Sequence, residues 1–206
     1  GYFQVLGWLP RPLGEHAWDC SGILHRVLAE LHDRCPGSDL PPPSARDSRS
    51  IARWYGDRGR LIPIRDPLAQ EALIRPGAIL FFGRAGRSYG GADAPPDLLY
   101  DPKRGIFHVG IVTEVRLDST GRVEGYVLLH GHGRQGRTAA GRTRPEDFHN
   151  QERSYRSAGR RAGKGQAKLP PYGNWDQPWV AVAPVFAERD LLTRHGRPLG
   201  PAPTLK

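Results

Sequence analysis

Among the side chains able to act as nucleophiles, Cys20 has the most informative setting. It follows Asp19 and precedes Ser21-Gly22, after which Ile23, Leu24, Val27, Leu28 and Leu31 recur at helical spacing. The pattern predicts an amphipathic helix, capped by the Asp19 carboxylate, with Cys20 at its first position on the side of the apolar stripe. A thiol there sits in the positive end of the helix dipole, which is expected to lower its pKa towards neutrality. The alternative is a small apolar side chain that happens to start a helix.

Two histidines offer the second half of a site. His108 and His130 are equally far in sequence from the turn residues Asp118-Ser119-Thr120-Gly121, which separate two β-branched, apolar runs. The turn predicts a β-hairpin in which the two histidines are near cross-strand neighbours, with Cβ atoms about 5 Å apart when directly opposite. A slip of one residue would bring His132 into the same place. A base and an orienting group on adjacent strands, beside a thiol, meet the requirements of a cysteine hydrolase. The same imidazoles could serve a metal instead, His108 with His130 and His132 offering three ligands, although no acidic or thiol ligand lies nearby in sequence. A structural role for either histidine is the plainest alternative.

At 206 residues with a net charge of +9, the chain reads as one domain with elaborations and an anionic partner. Nucleic acid, a membrane surface and an acidic cell-wall polymer all fit that charge. No run of eighteen apolar residues is present, so no membrane span is expected. The first residue is Gly, so the chain reads as trimmed and the lack of a signal peptide carries no weight. A helix running from Asp19 towards Arg34 would hold Cys20 and Cys35 roughly 20 Å apart, whereas a disulfide needs Cα atoms within about 7 Å. Cys20 should therefore be a free thiol.

Residues 1–18 read as an irregular lead-in. Cys35-Pro36-Gly37 stops the first helix, and Leu40-Pro41-Pro42-Pro43 is a stiff connector. A weaker helix runs through Ile51, Trp54 and Tyr55, and Leu61-Ile62-Pro63-Ile64 is an extended piece whose proline argues for a sheet edge. Residues 78–82 form a strand apolar on both faces, 83–105 a long polar loop, and 179–185 a final strand. The stretch 134–168 is rich in Lys and Arg without apolar periodicity, and reads as a solvated basic segment rather than a packed element. Residues 186–206 read as a tail.

Four stretches, in this order, resemble the NlpC/P60 cysteine peptidases of the papain-like group: Asp19-Cys20-Ser21-Gly22-Ile23, Arg75-Pro76-Gly77-Ala78-Ile79-Leu80-Phe81-Phe82, His108-Val109-Gly110-Ile111-Val112 and Leu128-Leu129-His130. The resemblance covers about residues 19–132. Ala78 stands where the family commonly has an acid, the loop 83–105 is longer than usual, and no upstream tyrosine motif aligns. The resemblance implies an α+β, papain-like fold, with an N-terminal catalytic helix packed on a central antiparallel sheet and a catalytic domain over 19–185 interrupted by insertions at 83–105 and 134–168. It implies Cys20 as nucleophile, His108 as general base and acid, and His130 (or His132) as the orienting third residue. Main-chain amides around Asp19, Cys20 and Ser21 would receive the oxyanion.

No cofactor or metal is implied. The implied substrate is the stem peptide of bacterial peptidoglycan, cut between γ-D-glutamyl and the following diamino acid, in an extracytoplasmic setting. The segment 134–168 could hold an anionic wall polymer, and a secreted toxin of this type would meet an inhibitor or immunity protein. Two other classes compete: a papain-like acyltransferase or deamidase using the same thiol, and a basic nucleic-acid-binding module, for which the aromatics Phe148, Tyr155 and Tyr172 are few.

Overall fold

The computed structural model describes residues 19–85, 99–103, 105–131, 148–154, 170–174 and 176–186, the segment 148–154 through its backbone and strand pairing. Two helices, α1 (Cys20–Arg34) and α2 (Ser48–Gly56), precede the strands β1 (Ile62–Pro63), β2 (Ala78–Gly83), β3 (Ile106–Leu117), β4 (Val123–Gly131), β5 (Phe148–Ser154) and β6 (Trp179–Pro184). The strands form one sheet in the order β1-β6-β2-β3-β4-β5, and every pairing in it is antiparallel. This is an α+β architecture.

Each helix begins where a carboxylate takes its first amides. Asp19 accepts from the Gly22 amide at 2.6 Å, and Asp47 accepts from those of Arg49 and Ser50, both at 2.9 Å. The predicted stripe of α1 is buried throughout: Ile23, Leu24, Val27, Leu28 and Leu31 join one core with Ile51, Ala52 and Tyr55 of α2 and with Ile79, Phe81, Val109, Ile111 and Leu129 of the sheet. Burying one such aliphatic side chain contributes about 1.5–3 kcal/mol, so the stripe is enough to hold α1 against β3 and β4. Gly37, with φ +87°, takes the left-handed turn that ends the helix.

The sheet is apolar on its other face too. Leu80, Phe82, Val112, Tyr126, Leu128, Trp179 and Val182 form a second core, closed by Ile64, Ile74 and Tyr172. That explains why β2 reads as a continuous apolar run: all six of its residues are buried. β1 lies at the sheet edge beside β6, where Pro63 costs no ladder bond. The β3–β4 hairpin closes through Asp118, whose carboxylate accepts from the amides of Thr120 and Arg122 at 2.8 and 3.0 Å.

One expectation fails. The stretch 134–168 is not wholly unpacked, because residues 148–154 form β5 and pair with β4 from Gly125↔Ser154 to Gly131↔Phe148. Polar side chains dominate this strand, so no hydrophobic alternation announces it; the exposed backbone of β4 supplies the pairing partner. Residues 1–18, most of the loop 83–105 and the tail from 187 onward lie outside the described residues.

A polar clamp ties the second layer to the hairpin. Arg122 donates to both carboxylate oxygens of Glu71, at 2.9 and 3.3 Å, and the Tyr172 hydroxyl donates to the same carboxylate. Arg122 first, then Tyr172, hold Glu71 below its ordinary carboxylate value of 4.5. A carboxyl group depressed on folding contributes stability that is complete above its unfolded pKa and lost as pH falls through the folded one. Glu71→Gln is therefore expected to lower the thermal midpoint by a few degrees at pH 7. The gap to the wild-type protein should close as melts are repeated progressively below pH 4.5.

Candidate functional site

Cys20 is the first residue of α1, and its thiol meets β3 and the loop that leads into α2. Sγ lies 3.9 Å from the Ser48 hydroxyl, and the main-chain amides of Val109 and Ser21 are also directed at it. Cys20 and Cys35 are both free thiols, as the length of helix between them requires.

The helix start does not lower the thiol pKa. Burial pushes Cys20 above its ordinary value, and the neighbouring Asp19 carboxylate adds to that push. The Ser48 hydroxyl and the amides of Val109 and Ser21 pull the other way without reversing it. The expectation of a lowered value counted the helix dipole and left out desolvation, which comes from residues distant in sequence. The resting sulfur is accordingly a protonated thiol.

Around it, the first turn is heavily bonded. Asp19 caps the Gly22 amide and the Ile23 amide reaches the Asp19 carbonyl at 3.0 Å. The Ser21 hydroxyl donates to Asp19 Oδ1 at 3.1 Å. Two of the first-turn amides are thus committed to the cap and the helix, and that of Ser21 faces the sulfur. An oxyanion at this helix start would depend chiefly on the Cys20 amide, geometry that the sequence pattern could not assign to one donor.

His108 and His130 come together directly. Their Nε2 and Nδ1 atoms are 2.7 Å apart and the rings meet edge to face, centroids 4.8 Å apart at 83°. His130 is fully buried and His108 is 6% exposed, so water does not compete for this bond. One nitrogen must donate and the other accept, which ties the tautomer of each ring to that of its neighbour. With Nε2 of His108 turned to His130, Nδ1 is the atom that would serve a nucleophile.

The two histidines are diagonal partners rather than direct ones. Ile111 pairs with Leu129, so stepping once along the ladder sets Gly110 opposite His130. The hairpin closes about Thr120, with Leu117 opposite Val123, one residue beyond the midpoint of the two histidines; the two register shifts along it cancel, so His130 is left opposite Gly110 rather than His108. Gly110 makes the diagonal contact feasible: a Cβ there would lie 2.8 Å from the Leu128 side chain and 3.1 Å from the His130 Cβ. Phe82 pairs with His108 across β2–β3, its ring centroid 5.9 Å from the imidazole.

Alternation along β3 places the thiol and the histidine pair on different sides of the strand. Val109 belongs to the core beneath α1, whereas His108 shares its face with Phe82, which belongs to the second core. Cys20 is brought to β3 at Val109, next in sequence to His108, and bonds Ser48 rather than the His108 ring. His132 lies outside the described residues, and so does the triple-imidazole metal reading that depended on it. Among the described residues no three His, Cys, Asp or Glu gather as metal ligands.

Two participants and one neighbouring register position were not legible beforehand. Arg46, in the connection before α2, and Ser48, the first residue of α2, reach the start of α1, and no local pattern marks them. His149 occupies the register position opposite His130 on β5, a strand without an apolar signature.

Set beside the chain are three bodies of known proteins: family models, curated proteins and solved structures. None matches it. Also, no helix among the described residues is long and apolar enough to cross a membrane.

Gly110→Ala should test the packing that lets the imidazoles meet. Crowding Leu128 and His130 is expected to destabilise the protein by about 1–3 kcal/mol, read by denaturant titration. In the wild type, iodoacetamide should modify Cys20 slowly at neutral pH, and faster as pH rises through 9 and beyond, the ordinary thiol value being 9.0.

Proposed function

We propose that the protein is a cysteine-dependent hydrolase of amide bonds, with Cys20 as nucleophile, His108 as base and then acid, and His130 as the residue that orients His108. The observation that carries the reading is the buried Nε2–Nδ1 bond between His108 and His130. A base in a nucleophilic site needs its far nitrogen held so that the near one is aimed, and a neighbouring imidazole does this without adding a fixed charge. The thiol at a helix start, one strand position away at Val109, supplies the second requirement.

Because the thiol is protonated at rest, attack requires proton transfer in the same step. Transfer requires His108 Nδ1 within about 3.2 Å of Sγ; because the thiol packs with the core beneath α1 while His108 lies on the face of the second core, the reading requires the imidazole to turn past β3 when substrate binds. The sulfur then attacks the carbonyl carbon as the proton moves to His108, and the oxyanion is met by the Cys20 amide. Collapse expels the amine, which takes the proton back from His108. Water, deprotonated by the same ring, then releases the acid from the thioester.

The NlpC/P60 resemblance carries the choice of substrate. Its four motif stretches fall at the helix start, through β2, on β3 and at the end of β4, which fits a papain-like arrangement of a helix against an antiparallel sheet. On this reading the substrate is the peptidoglycan stem peptide, cut after γ-D-glutamate, outside the cytoplasm. The net charge of +9 favours contact with an anionic wall.

Digestion of purified peptidoglycan by the wild-type protein and by Cys20→Ala tests the proposal. Soluble muropeptides are expected from the wild type alone, at least a hundredfold above the variant on the order of what loss of a nucleophile costs, and their masses identify the bond. Equal release by the two proteins would overturn the assignment.

A further inference from the structure

The segment 45–48, which ends at the first residue of α2, contacts α1 at Ala45, Arg46 and Ser48. The Ala45 carbonyl lies 2.7 Å from His25 Nε2, and the Ser48 hydroxyl lies 3.9 Å from the Cys20 sulfur. Between them Arg46 reaches both residues that flank the thiol. Its Nη2 donates to Asp19 Oδ2 at 3.0 Å, and its Nη1 to the Ser21 hydroxyl at 2.7 Å and to Asp19 Oδ1 at 3.3 Å. The Ser21 hydroxyl in turn donates to Asp19, which closes a ring of bonds around the first turn.

We infer that Arg46 is a positioning residue for the Cys20 thiol, fixing the two residues on either side of it and offsetting the carboxylate charge that stands beside the sulfur. The inference rests on the reading of Cys20 as the nucleophile and adds a residue on which that chemistry depends.

The argument is one of charge placement. A capping aspartate is needed to start α1, yet its negative charge opposes a thiolate one residue away. The guanidinium engages both carboxylate oxygens, so the cap remains while its field at the sulfur is reduced. Arg46 and Asp19 are both half-exposed, so salt should weaken the effect. The other titratable groups on the elements packed here are His25 on α1, Asp47 before α2 and, across the strand from the thiol, His108 on β3. Asp47 is occupied by the amides of Arg49 and Ser50, His25 by the Ala45 carbonyl, and His108 by His130.

A pH profile of Cys20 alkylation tests the inference without requiring a substrate. It is measured with iodoacetamide in a Cys35→Ser background, so that one thiol is read. Arg46→Gln is expected to move the midpoint of the profile upward and to slow alkylation at pH 8 roughly three- to tenfold, the change in thiolate fraction when the midpoint moves by about half a pH unit to one. Arg46→Lys, which keeps the charge, should stay near the wild-type midpoint. Adding Asp19→Asn to Arg46→Gln should bring the midpoint back down, because the charge to be offset is gone while the cap is kept. A helix start that had merely come loose would give no such reversal.

An unmoved midpoint in Arg46→Gln, or a double variant no different from the single one, would overturn the inference. Its failure is separable from that of the hydrolase reading. Wild-type release of muropeptides with an unmoved midpoint removes the role of Arg46 alone. A moved midpoint with no muropeptide release by the wild type removes the hydrolase alone.

Discussion

A hydrogen bond between two imidazoles in a place that water does not reach is demanding of everything around it. It needs one ring to present a lone pair and the other a proton, both to stay in plane, and nothing bulky between them. His108 and His130 meet these terms because Gly110 has no side chain, because a hairpin centred on Thr120 sets the rings on a diagonal, and because Phe82 packs beside His108. The central strands are buried on both faces, which keeps the bond dry. Two layers of apolar packing and a glycine thus set one proton's location.

The opposite logic governs the thiol. At Cys20 the local sequence favours ionisation, through a helix start, while the tertiary structure disfavours it, through burial and an adjacent carboxylate. The balance falls to groups brought in from elsewhere, the Ser48 hydroxyl and the main chain at Val109. Desolvation is the largest of these influences, and the hydrogen bonds from Ser48, Val109 and Ser21 do not reverse it.

Legibility followed the range of the interactions. Helix α1 could be read from five apolar residues and a cap because both signals lie within a few turns, and the hairpin could be read from Asp118 and Gly121 for the same reason. The edge place of Ile62-Pro63 was legible because a proline has no amide to contribute. The diagonal offset of the histidines was not, since four turn residues in a row do not show which of them the hairpin centres on, and one residue there moves the pairing by two. Strand β5 was hidden because its residues are polar and its pairing is dictated by β4. Arg46 and Ser48 were hidden because a loop crossing a helix start depends on where the chain travels between Arg34 and Ser48. The α+β class was therefore within reach of the sequence, and the electrostatics of the site were not.

The brevity of β1 has a consequence for how the protein behaves at high concentration. A sheet that ends in a long, regular strand offers a row of amides and carbonyls onto which a second chain can crystallise as further strands. Here one of the two outer strands in the sheet order, β1, is two residues long, against seven for β5 at the other margin, and one of its residues, Pro63, has no amide to offer. An incoming strand would find too little backbone to build on, so this margin resists runaway self-assembly even though Ile62 beside it is exposed.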